Sequence, residues 1–226
     1  MVKTEQLSAV KTPTSVNSHS WLELSAPHDQ GLVAGVDEVG RGALFGPVVA
    51  AAVILPECAL LDLAASGIKD SKQLKSQRRS QLAQLICALA VDWKIGFATL
   101  AEIDSINILQ ASLLAMKRAV LKLKVQPAIC LIDGNQLVKD LPVPQQTIVK
   151  GDSLSLSIAS ASIVAKVWRD DLVLRLAAKY PMYDLERNKG YGSPRHLAAL
   201  QKYGPSPLHR QSFGPCRVET FDQNIV

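Results

Sequence analysis

The thirteen residues from Gly35 to Pro47 constrain this chain more than any other stretch. An apolar run, Leu32 to Val36, leads into two adjacent carboxylates, Asp37 and Glu38. A turn holding Gly40, Arg41 and Gly42 follows, and a second apolar run, Val48 to Leu55, resumes behind Gly46 and Pro47. The pattern predicts strand, acidic corner, glycine-rich loop, strand. Neighbouring side chains of a strand point to opposite faces, so Asp37 and Glu38 share a site only if the strand ends there and the turn brings Glu38 round. Gly40 and Gly42 permit such a turn and let a ligand approach the backbone. Arg41 sets a positive fork beside bare N–H groups, which suits a phosphate or a sugar. A tight turn with solvated charges accounts for the glycines alone, and less well for all thirteen residues together.

Other segments repeat parts of this logic. A loop from Pro56 to Lys75 contains Lys69-Asp70-Ser71-Lys72, and residues 69 to 79 carry Lys69, Lys72, Lys75, Arg78 and Arg79 against Asp70. Leu82, Leu85, Ile86 and Leu89 then mark an amphipathic helix. The basic cluster sits at its start, where the helix dipole disfavours cations, so a polyanion-binding role and a solvated face both remain open. Trp93 to Leu100 reads as a third strand, with Asp104 placed to cap the next helix. Ala128 to Ile132 is a short apolar strand ending in Asp133-Gly134-Asn135. Gln145 to Val149 is a fifth strand, closed by Lys150-Gly151-Asp152. Asp152 is either a site carboxylate or the cap of the helix that follows. In that helix Ala161, Ala165, Trp168, Leu172 and Leu176 share a face, and Asp170 and Asp171 are expected to be solvated or paired with Arg169 or Arg175. A short helix over His196 to Tyr203 leads to a segment with His209, Arg210 and Phe213, in which basic residues interleave with aromatics as nucleic-acid binding surfaces do.

Net charge is +5, and the first thirty residues contribute −1, so the basic character belongs to the rest of the chain and suits a polyanionic partner. The four cysteines, Cys58, Cys87, Cys130 and Cys216, are widely spaced without a C-x-x-C pair. They predict thiols in a reducing compartment, with Cys87 and Cys130 buried, not zinc ligands or a disulfide framework. No apolar run reaches membrane-spanning length and the N-terminus lacks a signal-type stretch, so no membrane association and a cytoplasmic location are expected. Residues 1–28 read as a flexible extension, and 29–226 as one domain whose segment from about 181 onward is helical and irregular.

If the strand ends lie side by side, Asp37, Glu38, Asp133 and Asp152 converge. Anions so close repel one another unless a cation joins them, and all-oxygen donors suit Mg2+ or Mn2+. Two such ions about 4 Å apart could clamp the attacking and leaving oxygens of a phosphodiester. Metal-assisted phosphodiester hydrolysis is the reaction class these residues reach. The serines lack an evident histidine base, and the glycine loop lacks the ending of a nucleotide-binding P-loop.

The motifs together resemble ribonuclease HII, the bacterial type 2 ribonuclease H, over about residues 31 to 217. They are Gly-Val-Asp-Glu-Val-Gly-Arg-Gly followed by Gly46-Pro47, Lys-Asp-Ser-Lys at 69 to 72, Ile-Asp-Gly at 132 to 134, Lys-Gly-Asp at 150 to 152, Ala-Ser-Ile-Val-Ala-Lys at 161 to 166, and Asn-Lys-Gly-Tyr-Gly at 188 to 192. The resemblance implies an α/β ribonuclease H-like fold: a mixed five-stranded sheet flanked by helices, with a small helical C-terminal part. It implies an enzyme that cuts the RNA strand of RNA–DNA hybrids and cuts 5′ of single ribonucleotides in duplex DNA, leaving 5′-phosphate and 3′-hydroxyl ends; a monomer is expected. Asp37, Glu38, Asp133 and Asp152 would be the catalytic, metal-binding carboxylates. Gly40, Arg41 and Gly42 would read the ribose 2′-hydroxyl, Tyr191 would stack near the RNA–DNA junction, and Ser71 and Lys72 would contact backbone phosphate. Ala43-Leu44-Phe45 departs from the family's more usual Pro-Leu-Ala in this loop.

Overall fold

The computed structural model describes residues 31–68 and 74–217. Five strands form one sheet among these residues: β1 (Val33–Val39), β2 (Val48–Ile54), β3 (Asp92–Ala98), β4 (Ile129–Asp133) and β5 (Gln145–Ile148), in the spatial order β3-β2-β1-β4-β5. β1 is central. It runs antiparallel to β2 and parallel to β4, while β2–β3 is antiparallel and β4–β5 parallel.

The helices are α1 (Leu60–Ala65), α2 (Ser76–Leu89), α3 (Leu100–Leu121), α4 (Gly151–Leu154), α5 (Leu156–Ala177), α6 (Leu185–Asn188) and α7 (Pro194–Tyr203). One sheet face presents Ala34, Val36, Ala50 and Ala52 to Ala111, Ala115 and Ala119 of α3. The other presents Ala51 and Val53 to Ala161, Ala165 and residues of α2. Small side chains on both partners bring helix and sheet together, and the tightest points are glycines. A methyl on Gly35 would lie 2.0 Å from the Ser157 carbonyl carbon, and one on Gly96 would lie 2.1 Å from the Ala115 oxygen. Each fully buried leucine, isoleucine or methionine in these layers contributes about 2 kcal/mol of hydrophobic stabilisation.

Three local expectations change. Thr99, not Asp104, caps α3, through a reciprocal capping box with Glu102. Asp104 lies within α3 and its carboxylate accepts hydrogen bonds from the Gln211 and Ser212 N–H groups, tying the C-terminal segment to the sheet layer. Asn107 interrupts α3 with φ 66° and ψ 164°, and its Oδ1 caps the helix that restarts at Leu109 and Gln110. Along α5, Asp170 pairs with Lys166 at 2.9 Å, whereas Arg169 is wholly buried. Cys130 is buried and Cys87 half-buried. Burial pushes these thiols up to about 12 and about 11, so neither is poised to react.

The segment after α5 builds a third packing centre, in which Tyr183, Leu185, Ala199 and Leu200 enclose Leu44 and Phe45. Isolated bridges join Ala43 to Tyr191 and Phe45 to His209. Phe45 is fully buried and meets the Tyr180 and His209 rings edge-on. No helix among the described residues is long and apolar enough to cross a membrane.

Candidate active site

A cavity of about 430 Å³ opens where the two edges of β1 part company. β1 stays paired with β2 as far as Val39↔Val49, but its pairing with β4 stops at Val36↔Ile132. β1 therefore does not end at Asp37, contrary to the reading of an acidic corner. It continues as strand while its β4 neighbour turns away at Asp133, and that gap allows Asp37 and the longer Glu38 to line the same cavity despite the strand's alternation.

Each carboxylate is held locally. Asp37 is nearly buried, and its Oδ1 accepts from the Glu38 N–H at 2.7 Å and its carboxylate from the Ser162 side chain. Glu38 Oε1 accepts from Arg41 Nη1 at 3.1 Å. Asp133 Oδ1 accepts from the Gly151 N–H at 2.7 Å, which links the end of β4 to the start of α4. Asp152 is buried in the first turn of α4, behind Lys150 in a left-handed conformation, and it also lines the cavity. Burial, then the charges of Glu38 and Asp133, push the Asp37 carboxyl well above its ordinary range. Burial raises Glu38 as well; Arg41 pulls it back and Asp133 adds a smaller push upward.

Gly40, Arg41, Gly42 and Tyr191 line the same cavity. The two glycines answer different demands. Gly40 has φ 89°, and a methyl there would lie 2.2 Å from Arg169 Nε, so the protein itself requires glycine. Gly42 has no such φ, and nothing lies within 4 Å of where its methyl would be. Its bare backbone leaves open space on the cavity. The Tyr191 ring is half-buried, with Lys166 Nζ and Arg169 Cζ each 5.4 Å from its centroid.

Of the ten site residues expected from the sequence, eight share this cavity: Asp37, Glu38, Gly40, Arg41, Gly42, Asp133, Asp152 and Tyr191. Ser71 and Lys72 lie outside the described residues, as does the extension over 1–28. The cavity also takes in Arg79, Ser162 and Lys166, which the sequence reading did not assign. Arg79 stood in the basic cluster and the other two in the Ala-Ser-Ile-Val-Ala-Lys motif, so a signal was present for each. His209 and Arg210, expected to face a nucleic acid, are instead buried. Ser206 N–H donates to His209 Nδ1, the two histidine Nε2 atoms stand 3.0 Å apart, and His196 Nδ1 meets the Tyr191 carbonyl at 2.9 Å. Both histidines are therefore neutral, one Nε2 donating to the other, and burial lowers both, His209 to about 4.

A family model for ribonuclease HII matches residues 34–216. The chain belongs to the ribonuclease HII family. It is 65% identical to the ribonuclease HII of Trichormus variabilis over 96% of this chain and 97% of that one. The corresponding figures for the ribonuclease HII of a Nostoc species are 66%, 96% and 98%. The crystal structure of ribonuclease H2 from Pyrococcus horikoshii superposes with a TM-score of 0.72 at 28% identity, covering 82% of this chain and 95% of that one. The mixed sheet with flanking helices is thus the ribonuclease H-like fold, and the protein is a ribonuclease H, an endoribonuclease acting on the RNA of RNA–DNA hybrids.

Ribonuclease HII enzymes depend on divalent metal, and the donor chemistry here fits one: oxygen ligands only, partly buried, with neighbouring negative charge that raises the proton affinity of Asp37 and Glu38. Among the described residues no three acidic, histidine or cysteine side chains form a ready-made metal-ion cluster.

Proposed function

We propose that this cavity cuts the RNA strand of hybrids and also cuts 5′ of a single ribonucleotide embedded in duplex DNA. The observation that carries this is the sharing of one cavity by four carboxylates and the Gly40–Arg41–Gly42 backbone. The 2′-hydroxyl is the group that distinguishes RNA from DNA at one position, and a glycine backbone can reach it where a side chain would obstruct. The open space at Gly42 supports that approach.

Asp37, Glu38, Asp133 and Asp152 would hold Mg2+ or Mn2+, which supplies activation of the attacking water and charge stabilisation at the leaving oxygen. In the step itself, water oxygen bonds to phosphorus and the P–O3′ bond breaks. The released strand ends in a 3′-hydroxyl and the downstream strand in a 5′-phosphate. Ser162 and the Glu38 N–H orient Asp37, and the Gly151 N–H orients Asp133. Tyr191, its ring flanked by Lys166 and Arg169, would stack beside the junction. Ser71 and Lys72 would contact phosphate, and with Arg79 would make binding salt-dependent. We assign catalysis to residues 29–226 acting as a monomer in the cytoplasm.

The test is a duplex with one ribonucleotide beside its all-DNA twin, each with Mg2+ or Mn2+. Cutting of the first alone, with 5′-phosphate and 3′-hydroxyl ends, is expected. Equal cutting of both would point to a DNA nuclease, and tight binding without cutting to a hybrid-binding protein.

A further inference from the structure

Two arginines are wholly buried among the described residues, and both serve one loop. Arg169, on α5, donates from Nε to the Pro47 carbonyl, from Nη1 to Lys189 and from Nη2 to Phe45. Arg210, in the C-terminal segment, donates from Nε to the Gly46 carbonyl at 3.0 Å, from Nη1 to Arg41 at 2.7 Å and from Nη2 to Gly40 at 2.7 Å. All three nitrogens of Arg210 thus meet carbonyls of residues 40–46, and its own N–H donates to Leu44. Burying a guanidinium without a paired carboxylate costs several kcal/mol. Closing a loop does not demand it, since backbone bonds suffice.

The geometry of the peptide unit shows what the fork achieves. In a trans peptide the C=O and the N–H point in opposite directions. The Gly40 carbonyl shares a peptide with the Arg41 N–H, and the Arg41 carbonyl shares one with the Gly42 N–H. Holding both carbonyls inward on Arg210 turns both N–H groups outward, on residues that line the cavity. Neither N–H donates to a backbone carbonyl among the described residues. Charge on the fork also polarises both peptides and strengthens the outward donors.

We propose that Arg210 is a positioning residue for substrate discrimination: through the Gly40 and Arg41 carbonyls it aims the Arg41 and Gly42 N–H groups at the ribose 2′-hydroxyl. This rests on the reading that the loop recognises that hydroxyl, and adds the residue that sets its geometry. A lysine at 210 keeps the charge but offers a point donor in place of a fork, and a glutamine keeps a planar donor without the charge.

The experiment measures affinity for a duplex with one ribonucleotide and for its all-DNA twin, with Ca2+ as the divalent ion to hold back turnover. Wild type is compared with Arg210→Lys and Arg210→Gln, each checked for folding by its thermal midpoint. Wild type should prefer the ribonucleotide duplex. In both variants that preference should fall by about fivefold or more, the equivalent of one lost hydrogen bond, while affinity for the all-DNA twin stays within about twofold. A purely structural role would weaken both duplexes together and leave the preference intact, and that result overturns the proposal. So does a preference retained by either folded variant, or a failure of both variants to fold, which would assign the fork to folding alone. If wild type itself shows no preference, the loop does not read the hydroxyl and the function proposed above fails first.

Discussion

The two walls of the cavity are built in opposite ways. The carboxylate wall is assembled by neighbours: Asp37 leans on the N–H of Glu38, and Asp133 on Gly151 across one parallel strand pair. The loop wall is assembled from afar, by guanidinium groups 122 to 170 residues away in sequence. Chemistry that needs negative charge at a fixed place can rely on the sheet, whose register is set by its own ladder. A glycine-rich turn has no such ladder, and its many accessible conformations have to be reduced by contacts from outside it.

The sharpest way to break this contrast is to remove charge from the first wall. Asp133→Asn keeps an oxygen for the Gly151 N–H but removes a charge proposed to hold metal. Cleavage should fall by about 10³-fold or more, with a thermal midpoint unchanged or higher because repulsion of Asp37 is relieved. Near-normal cleavage would detach Asp133 from the chemistry.

Gly40→Ala should act on the second wall through stability. Its left-handed φ and its overlap with Arg169 predict a loss of about 3 kcal/mol by denaturant melt. Next comes pH. His209 has a folded value of about 4 against an ordinary 6.5. The unfolded chain therefore binds the proton first, and stability should be complete above about pH 6.5 and erode as pH falls toward 4, by up to about 3 kcal/mol. Asp37 works in the other direction, since its raised carboxyl gains stability as pH falls. Comparing melts of wild type and His209→Gln at pH 7 and 5 isolates the histidine, and identical slopes would refute its part.

Gly42→Ala sharpens the comparison most finely. Stability should move by no more than about 0.5 kcal/mol, yet kcat/KM on the ribonucleotide duplex should fall about tenfold. An unaffected rate would mean the open space beside Gly42 is not used by substrate.

Much of the carboxylate wall was legible because strand patterning and strand-end aspartates are local signals. Asp133 closes β4 as its apolar run predicts, and Asp152 follows β5. The same locality produced an error at β1. Alternation within one strand cannot reveal that a partner strand stops early, so the strand was expected to end where only its β4 pairing does. Arg169 and Arg210 were misplaced for a related reason: a charged residue on a helix or in a basic tail is usually exposed, and only the carbonyls of a distant loop make burial tolerable. Asp104 likewise looked like a cap until the Ser212 N–H was seen to reach it.

By itself, the sequence determined the order of strands and helices, the glycine loop and the acidic residues, since periodicity and turn chemistry act over a few residues. Tertiary structure alone decided that β4 leaves β1 early enough for Asp37 and Glu38 to share a cavity. It also decided that two buried arginines hold the loop facing them, because contacts between segments remote in the chain depend on how the layers pack.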